Sequence, residues 1–169
     1  MLEVHKKIVK EIVNEYKKNK STVAITLFGS LARGEERYDS DVDIQIISGN
    51  AKKWELKQDD VRYGIKIDLV ICPEKHLIYQ FDNYPYLCYD YLNEKIIYDP
   101  KSFIKGFQNK IRKYISKHPE VAEFWEDKLK IMKENKRKGK DPKDAINSHD
   151  EAEILFSDEH NVTRNFFRD

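Results

Sequence analysis

The sequence predicts an α/β (α+β) protein in which helices flank a small β-sheet and a helical hairpin and a tail follow. Three observations predict this fold class. Short β-branched runs that begin at Val23, Val42 and Ile65 alternate with segments of helical periodicity. Apolar residues then recur at helical spacing from residue 101 to about residue 135. The chain is also long enough for a core, because 40% of its 169 residues are hydrophobic.

The individual elements follow from periodicity and from the position of glycine and proline. In chain order, we predict a helix over 2–18, a strand over 23–28, a short helix to about 37, a strand over 42–47, a helix over 51–63, a strand over 65–71, a helix over 74–81 and a strand over 95–98. The helix over 51–63 has few apolar anchors, namely Trp54, Leu56 and Val61.

Three regions are predicted along the chain: residues 1–100, a helical hairpin over 101–135 packed on them, and a polar linker and tail over 136–169. The basic run Lys136–Lys140 is interpreted as a solvated helix end and linker, with a contact for a nucleic acid or an acidic partner as the alternative. The tyrosine-rich stretch over 84–92 is interpreted as core packing. Its alternative is a flat surface on which a nucleobase stacks.

A turn that suits an anion follows the first strand, in Phe28-Gly29-Ser30-Leu31-Ala32-Arg33-Gly34. Gly29 has no Cβ, so the backbone can turn sharply there and a ligand can approach closely. Ser30 is predicted to cap a helix that begins near Leu31, which leaves backbone N–H groups facing outward. Arg33 adds a permanent positive charge suited to phosphate oxygens. The alternative for Ser30 and Arg33 is ordinary capping and a surface salt bridge.

A pair of carboxylates begins the next strand, in Ser40-Asp41-Val42-Asp43-Ile44. Alternation puts Asp41 and Asp43 on one face, with Cα atoms roughly 6–7 Å apart. Two ionised carboxylates about 5 Å apart repel each other by roughly 3 kcal/mol at an effective dielectric constant near 20. A divalent cation such as Mg²⁺ would relieve this repulsion, because hard cations prefer oxygen ligands. The alternative is a solvent-facing pair on a strand.

A third acid, Asp68, lies inside the apolar run Ile65–Ile71. A carboxylate is costly to bury without a partner, and a metal ion would supply one. A phosphate-binding turn beside carboxylates suggests a triphosphate with bound metal.

Together these residues resemble the GSxxRG…SDxDI signature of the DNA polymerase beta-like nucleotidyltransferase superfamily, of the minimal nucleotidyltransferase type. The resemblance covers roughly residues 1–100 and implies that they form a catalytic domain with a mixed β-sheet. It implies two Mg²⁺ ions and a catalytic, metal-binding set of Asp41, Asp43 and Asp68. The implied nucleotide-binding residues are Gly29, Ser30, Arg33 and Ser40.

The resemblance also implies a reaction, in which a nucleotide monophosphate, with AMP from ATP favoured, passes to a hydroxyl acceptor and pyrophosphate leaves. An antibiotic, a protein side chain and an RNA end are all permitted acceptors. Long additional domains of the kind found in RNA-polymerising members are not expected, which lowers the RNA option. Minimal members often act as antitoxins that modify a tyrosine of a partner toxin, so a protein acceptor is favoured. The alternatives are an aminoglycoside-type transferase and a non-catalytic nucleotide- or partner-binding module.

Composition sets further bounds. The net charge of +1 gives no overall field that would attract nucleic acid or a membrane surface. Cys72 and Cys88 cannot form a disulfide framework, and we expect two reduced thiols in a cytoplasmic protein. No signal peptide or membrane span is expected. The sequence leaves homo- and hetero-oligomers open.

Overall fold

The structure, a computed structural model, describes residues 1–139 and 144–157. Its elements are α1 (Glu3–Tyr16), β1 (Thr22–Leu27), α2 (Gly29–Arg33), β2 (Val42–Ser48), β3 (Glu55–Arg62), β4 (Ile65–Pro73), α3 (Glu74–Asn83), two short 3₁₀ helices (Pro85–Leu87 and Tyr89–Asn93), β5 (Lys95–Tyr98), α4 (Phe103–Ile115), α5 (Pro119–Arg137) and α6 (Asp144–Phe156). Within these described ranges, no helix has the length and apolar character needed to cross a bilayer.

The five strands form one sheet in the order β3-β4-β2-β1-β5. Strands β2 and β4 are parallel, and the other neighbouring pairs are antiparallel. The sheet is therefore mixed, and the predicted α+β fold class is confirmed. Strand β1 is antiparallel in direction to β2 and β4. The carboxyl end of β1 therefore lies at the same end of the sheet as the amino ends of these two parallel strands.

The described chain divides into two compact units. The first comprises Met1–Ile78 and Asp90–Asn109, and the second comprises Tyr79–Tyr89 and the described residues from Lys110 onward. The three predicted regions, with boundaries near residues 100 and 135, stay a prediction. Residues 140–143 and 158–169 of the predicted linker and tail lie outside the described residues.

The core of the first unit lies between α1 and one face of the sheet. The buried side chains of β2 on this face are those of Val42, Ile44 and Ile46. From α1, Ile8 and Ile12 are completely buried against the same cluster. The alternation predicted for β2 is confirmed, and it directs the residues between these apolar positions to the opposite face of the sheet.

The helix predicted over residues 51–63 is wrong, because this segment contains the edge strand β3. A two-residue turn at Tyr63 (φ 54°) and Gly64 (φ 78°) joins β3 to β4, with Arg62 paired to Ile65. Positive φ at both central residues is typical of a tight hairpin whose twist matches its strands. Nearly all of β3 is exposed, so neither of its faces had to be apolar and its sequence lacks the alternation of apolar and polar residues that marks a half-buried strand.

The second unit has a core of its own around Tyr86, whose side chain is completely buried. The indole N–H of Trp125 donates a hydrogen bond of 2.7 Å to the Tyr86 carbonyl oxygen. Ala152 and Phe156 of α6 are buried in the same cluster. Core packing therefore accounts for Tyr86, and part of the segment predicted as linker and tail is helical.

Candidate active site

The turn at the end of β1 fits directly against an acid of β2. The backbone N–H of Phe28 donates to the carbonyl oxygen of Asp43 at 3.1 Å. Gly29 follows with φ +64°, a conformation that only glycine adopts without strain. A methyl group on Gly29 would overlap the Asp43 carboxylate Oδ2 and lie 2.8 Å from its Cγ. Glycine is therefore required here both by the backbone angle and by the neighbouring carboxylate.

Helix α2 begins at Gly29 and ends at Arg33, so two predictions about it are wrong. Ser30 does not cap it, because the N-cap is Phe28 and no side chain caps this end. The helix also stops before residue 37, since Gly34 turns into the left-handed conformation at φ +68°. Leu31 is only 2% exposed and anchors the short helix in the core. The first-turn N–H groups at Gly29 and Ser30 point away from the helix, as at any helix start.

The two other predicted nucleotide-binding side chains are engaged within the chain. The Arg33 guanidinium Nε donates to Glu35 Oε2 at 2.8 Å, and about a third of the arginine side chain is exposed. The Ser40 hydroxyl accepts a hydrogen bond of 2.8 Å from the Arg37 backbone N–H and so closes the turn before β2. In this structure Ser40 shapes the loop that precedes Asp41.

Helix α1 holds this loop from the side of the core. His5 is completely buried, and its Nε2–H donates to the Ser40 carbonyl oxygen at 2.9 Å. Its Nδ1 is buried with no hydrogen-bond partner among the described residues. The backbone N–H of Leu2 donates to Glu36 Oε1 at 3.1 Å. The loop between α2 and β2 is thus held at Glu36 by the residue that precedes α1 and at Ser40 by α1 itself.

The predicted acids lie on the sheet face opposite to α1. Asp43 and Asp68 are direct neighbours in the parallel pairing of β2 and β4, and both are half-buried. Continuing this register by one residue places Asp41 beside Lys66. Among the described residues, no three histidine, cysteine, aspartate or glutamate side chains form a group that could hold a metal ion. The backbone therefore brings the three acids to one place without closing their side chains around a common point.

A lysine ammonium group lies among the acids on this face. Lys66 Nζ lies 2.8 Å from Asp68 Oδ1. The hydrogen bond to Asp68 raises the pKa of Lys66, and the charges of Asp41 and Asp43 raise it further. All three acids therefore favour a positive charge at this point, and their carboxylate oxygens are the donors that a divalent cation prefers. In chemical terms the residues fit Mg²⁺.

A fourth carboxyl group, which was not predicted from the sequence, belongs to the same face. Glu94 precedes β5, and its Oε2 accepts a hydrogen bond of 2.6 Å from the Thr26 hydroxyl. Thr26 pairs with Gln45, which alternates with Asp43 along β2. Burial raises the pKa of Glu94 to about 7, although the Thr26 hydrogen bond opposes the shift. No local pattern marks such a residue, because its burial depends on a contact 68 positions away in the chain.

We expect stability to fall as pH rises through the range in which Glu94 ionises. Between its ordinary pKa of 4.5 and about 7, the folded protein keeps a proton that the unfolded chain has lost. The free energy of unfolding should therefore drop by about 3 kcal/mol across this window and then level off. Glu94→Gln keeps an oxygen that can accept from Thr26 but carries no charge. It should be about as stable as the wild type near pH 4.5 and more stable at pH 8, in urea unfolding.

The matched control for Glu94 is Glu55→Gln, which removes an exposed carboxylate from β3. This control should leave the pH dependence of the wild type unchanged. If Glu94→Gln lost stability between pH 5 and pH 8 as steeply as the wild type, another group would have to be responsible.

Known proteins similar to this chain share one family. A family model described as "Nucleotidyltransferase domain" matches residues 6–153. The chain is similar to two proteins of Methanocaldococcus jannaschii that carry the provisional name protein adenylyltransferase. It is 32% identical to MJ1305 over 105 residues, which cover 56% of this chain and 71% of that protein. It is 37% identical to MJ0141 over 73 residues, which cover 37% of this chain and 74% of that protein.

A solved structure shares the fold. The crystal structure of a nucleotidyltransferase-like protein from Exiguobacterium sibiricum superposes with a TM-score of 0.52 at 12% identity. The superposition covers 95% of this chain but 59% of that structure, so the chain spans less than two thirds of its length. At this identity the likeness concerns the fold alone. The family model, which covers most of the chain, and the two relatives together confirm the resemblance, and the chain belongs to the nucleotidyltransferase domain family.

Proposed function

We propose that this nucleotidyltransferase transfers AMP from ATP to a hydroxyl group of a partner protein and releases pyrophosphate. One observation carries the proposal: Gly29 lies against the carboxylate of Asp43, which is paired with Asp68 on the same sheet face. The start of α2, whose first N–H groups have no intrahelical partner, therefore stands directly beside carboxylates that suit a divalent cation. A protein acceptor and an adenylyl donor are supported by the names of the two relatives.

Each residue has a part in the proposed reaction. The first-turn N–H groups of α2 would bind triphosphate oxygens, because a helix start leaves these donors without intrahelical partners. Arg33 would turn from Glu35 to a phosphate, which offers its guanidinium a second, more highly charged set of acceptors. Asp41, Asp43 and Asp68 would hold two Mg²⁺ ions. When bound, these ions would neutralise the charge that develops on the attacking and leaving oxygens.

The transfer itself exchanges one bond for another. The acceptor oxygen forms a bond to the α-phosphorus, and the bond from that phosphorus to the oxygen of the leaving pyrophosphate breaks. The hydroxyl proton leaves with a base, for which we propose Asp68, because of the three acids it lies on the strand farthest from the phosphate-binding turn. In the proposed site, the triphosphate thus lies at the end of β1, the metal ligands of the centre lie at the start of β2, and the acceptor hydroxyl lies beside β4.

Labelled nucleotides test the proposal and identify the acceptor. We expect the protein, incubated with Mg²⁺ and a lysate of its source cell, to transfer label from α-labelled ATP to a protein band. With γ-labelled ATP this band should carry no more label than in the blank, because the γ-phosphate leaves in pyrophosphate. The double variant Asp41→Asn, Asp43→Asn serves as the blank. Label found only on a small molecule would replace the protein acceptor with an antibiotic-type acceptor. ATP binding without pyrophosphate release on any acceptor would leave a binding module.

A further inference from the structure

Four charged residues of the site form the corners of a square across the parallel strands β2 and β4. Asp43 and Asp68 form one level of this square, and Asp41 and Lys66 form the next. Lys66 and Asp68 lie two residues apart on β4, so their side chains project from the same face. Three negative charges and one positive charge therefore lie on the same surface. The three acids are the proposed metal ligands, and the lysine is not.

Asp68 is already occupied in this arrangement. Its Oδ1 accepts from Lys66 Nζ at 2.8 Å and from Gln58 Nε2 at 3.2 Å. The lysine side chain is 42% exposed, whereas that of Asp68 is 21% exposed. A half-exposed ammonium group on a flexible stem can leave its carboxylate for water at a small cost. The pair is thus formed but easily opened.

We propose that Lys66 is a built-in counter-ion of the acidic face, which occupies Asp68 in the metal-free protein and is displaced from it when a divalent cation binds. The inference rests on the proposed function, because it takes Asp68 as a metal ligand. It explains why the three acids lie together without forming a closed metal site among the described residues. Lys66 is a positioning residue here, since it acts through Asp68.

The test is the affinity for Mn²⁺ in the absence of nucleotide, measured by electron paramagnetic resonance of the free ion. Lys66→Met should tighten Mn²⁺ binding by about two- to fivefold, because a half-exposed ion pair contributes about this much. Lys57→Met is the matched control, because its side chain is similarly exposed at 47%. Lys57 pairs with Leu69 on the core side of the sheet, so its removal should leave the Mn²⁺ affinity unchanged.

A double-variant cycle with Asp68→Asn separates a direct pair from a general field effect. In the Asp68→Asn background, Lys66→Met should tighten Mn²⁺ binding less, because only the longer-range interaction of Lys66 with Asp41 and Asp43 remains to be removed. An equal gain in both backgrounds, or no gain with Asp68 present, would overturn the proposal, as would failure of both the wild type and Lys66→Met to bind Mn²⁺.

Thermal unfolding gives a second readout that does not depend on transfer. Without metal, Lys66→Met should melt at a lower temperature than the wild type, because the three carboxylates have lost their cation. Saturating Mn²⁺ should raise its melting temperature more than that of the wild type. Lys66→Arg keeps the charge and should behave as the wild type. If these results hold but no nucleotide is ever transferred, the counter-ion stands and the proposed function fails.

Discussion

We expect Asp43→Asn to lower nucleotidyl transfer at least about a hundredfold while the fold remains intact. The substitution keeps the size of the side chain but removes the charge that lies between the Gly29 turn and Asp68. Loss of one group that stabilises charge in the transition state typically costs this much in rate. The measurement is pyrophosphate release with the acceptor found by labelling.

The stability of Asp43→Asn should not fall together with its activity. Removal of one of three neighbouring negative charges relieves repulsion, so the unfolding midpoint of Asp43→Asn in urea should equal or exceed that of the wild type. Asp59→Asn is the matched control, because Asp59 is an exposed acid on β3 and should affect neither quantity. Full transfer by Asp43→Asn would remove the proposed mechanism.

Gly29→Ala should also abolish most of the transfer, for a steric reason. The new methyl group would overlap Asp43 Oδ2, so the carboxylate has to move away from its place beside the turn. The alanine would also be held at φ +64°, which costs about 1–2 kcal/mol for a residue with a Cβ. We expect lower stability in urea unfolding, together with a loss of transfer much larger than that stability change accounts for.

Gly64→Ala separates these two effects. Gly64 has φ +78°, but a methyl group there would have nothing within 4 Å. This variant should therefore lose a similar amount of stability and keep its activity. If Gly29→Ala and Gly64→Ala lost activity equally, the contact with Asp43 would have no role in transfer.

The chemistry-bearing elements could be predicted from the sequence because their signals are local. Alternation fixed the buried face of β2, where Val42, Ile44 and Ile46 reach the core. Strand β5 has the predicted bounds, residues 95–98. The turn at Gly29 could also be predicted from local sequence, because Gly-Ser after a strand favours a turn.

What could not be predicted depends on contacts between distant residues or on exposure. Strand β3 is an edge strand whose side chains mostly face water, so no periodic pattern separates it from a polar helix. The Lys66–Asp68 pair is visible only after the register with β2 brings Asp41 and Asp43 beside it. Glu94 looks like any charged residue near a strand until Thr26 and burial are known. The roles assigned to Ser30 and Arg33 toward a nucleotide stay predictions.

His5 is a core residue that also contacts the loop leading into the proposed site. Its ring is sealed inside the protein, yet the N–H it donates ends on the carbonyl group immediately before Asp41. We therefore expect a substitution of His5 to act on the proposed site through the position of Asp41. Through this hydrogen bond, α1 helps to set the direction in which the chain continues into Asp41, a proposed metal ligand.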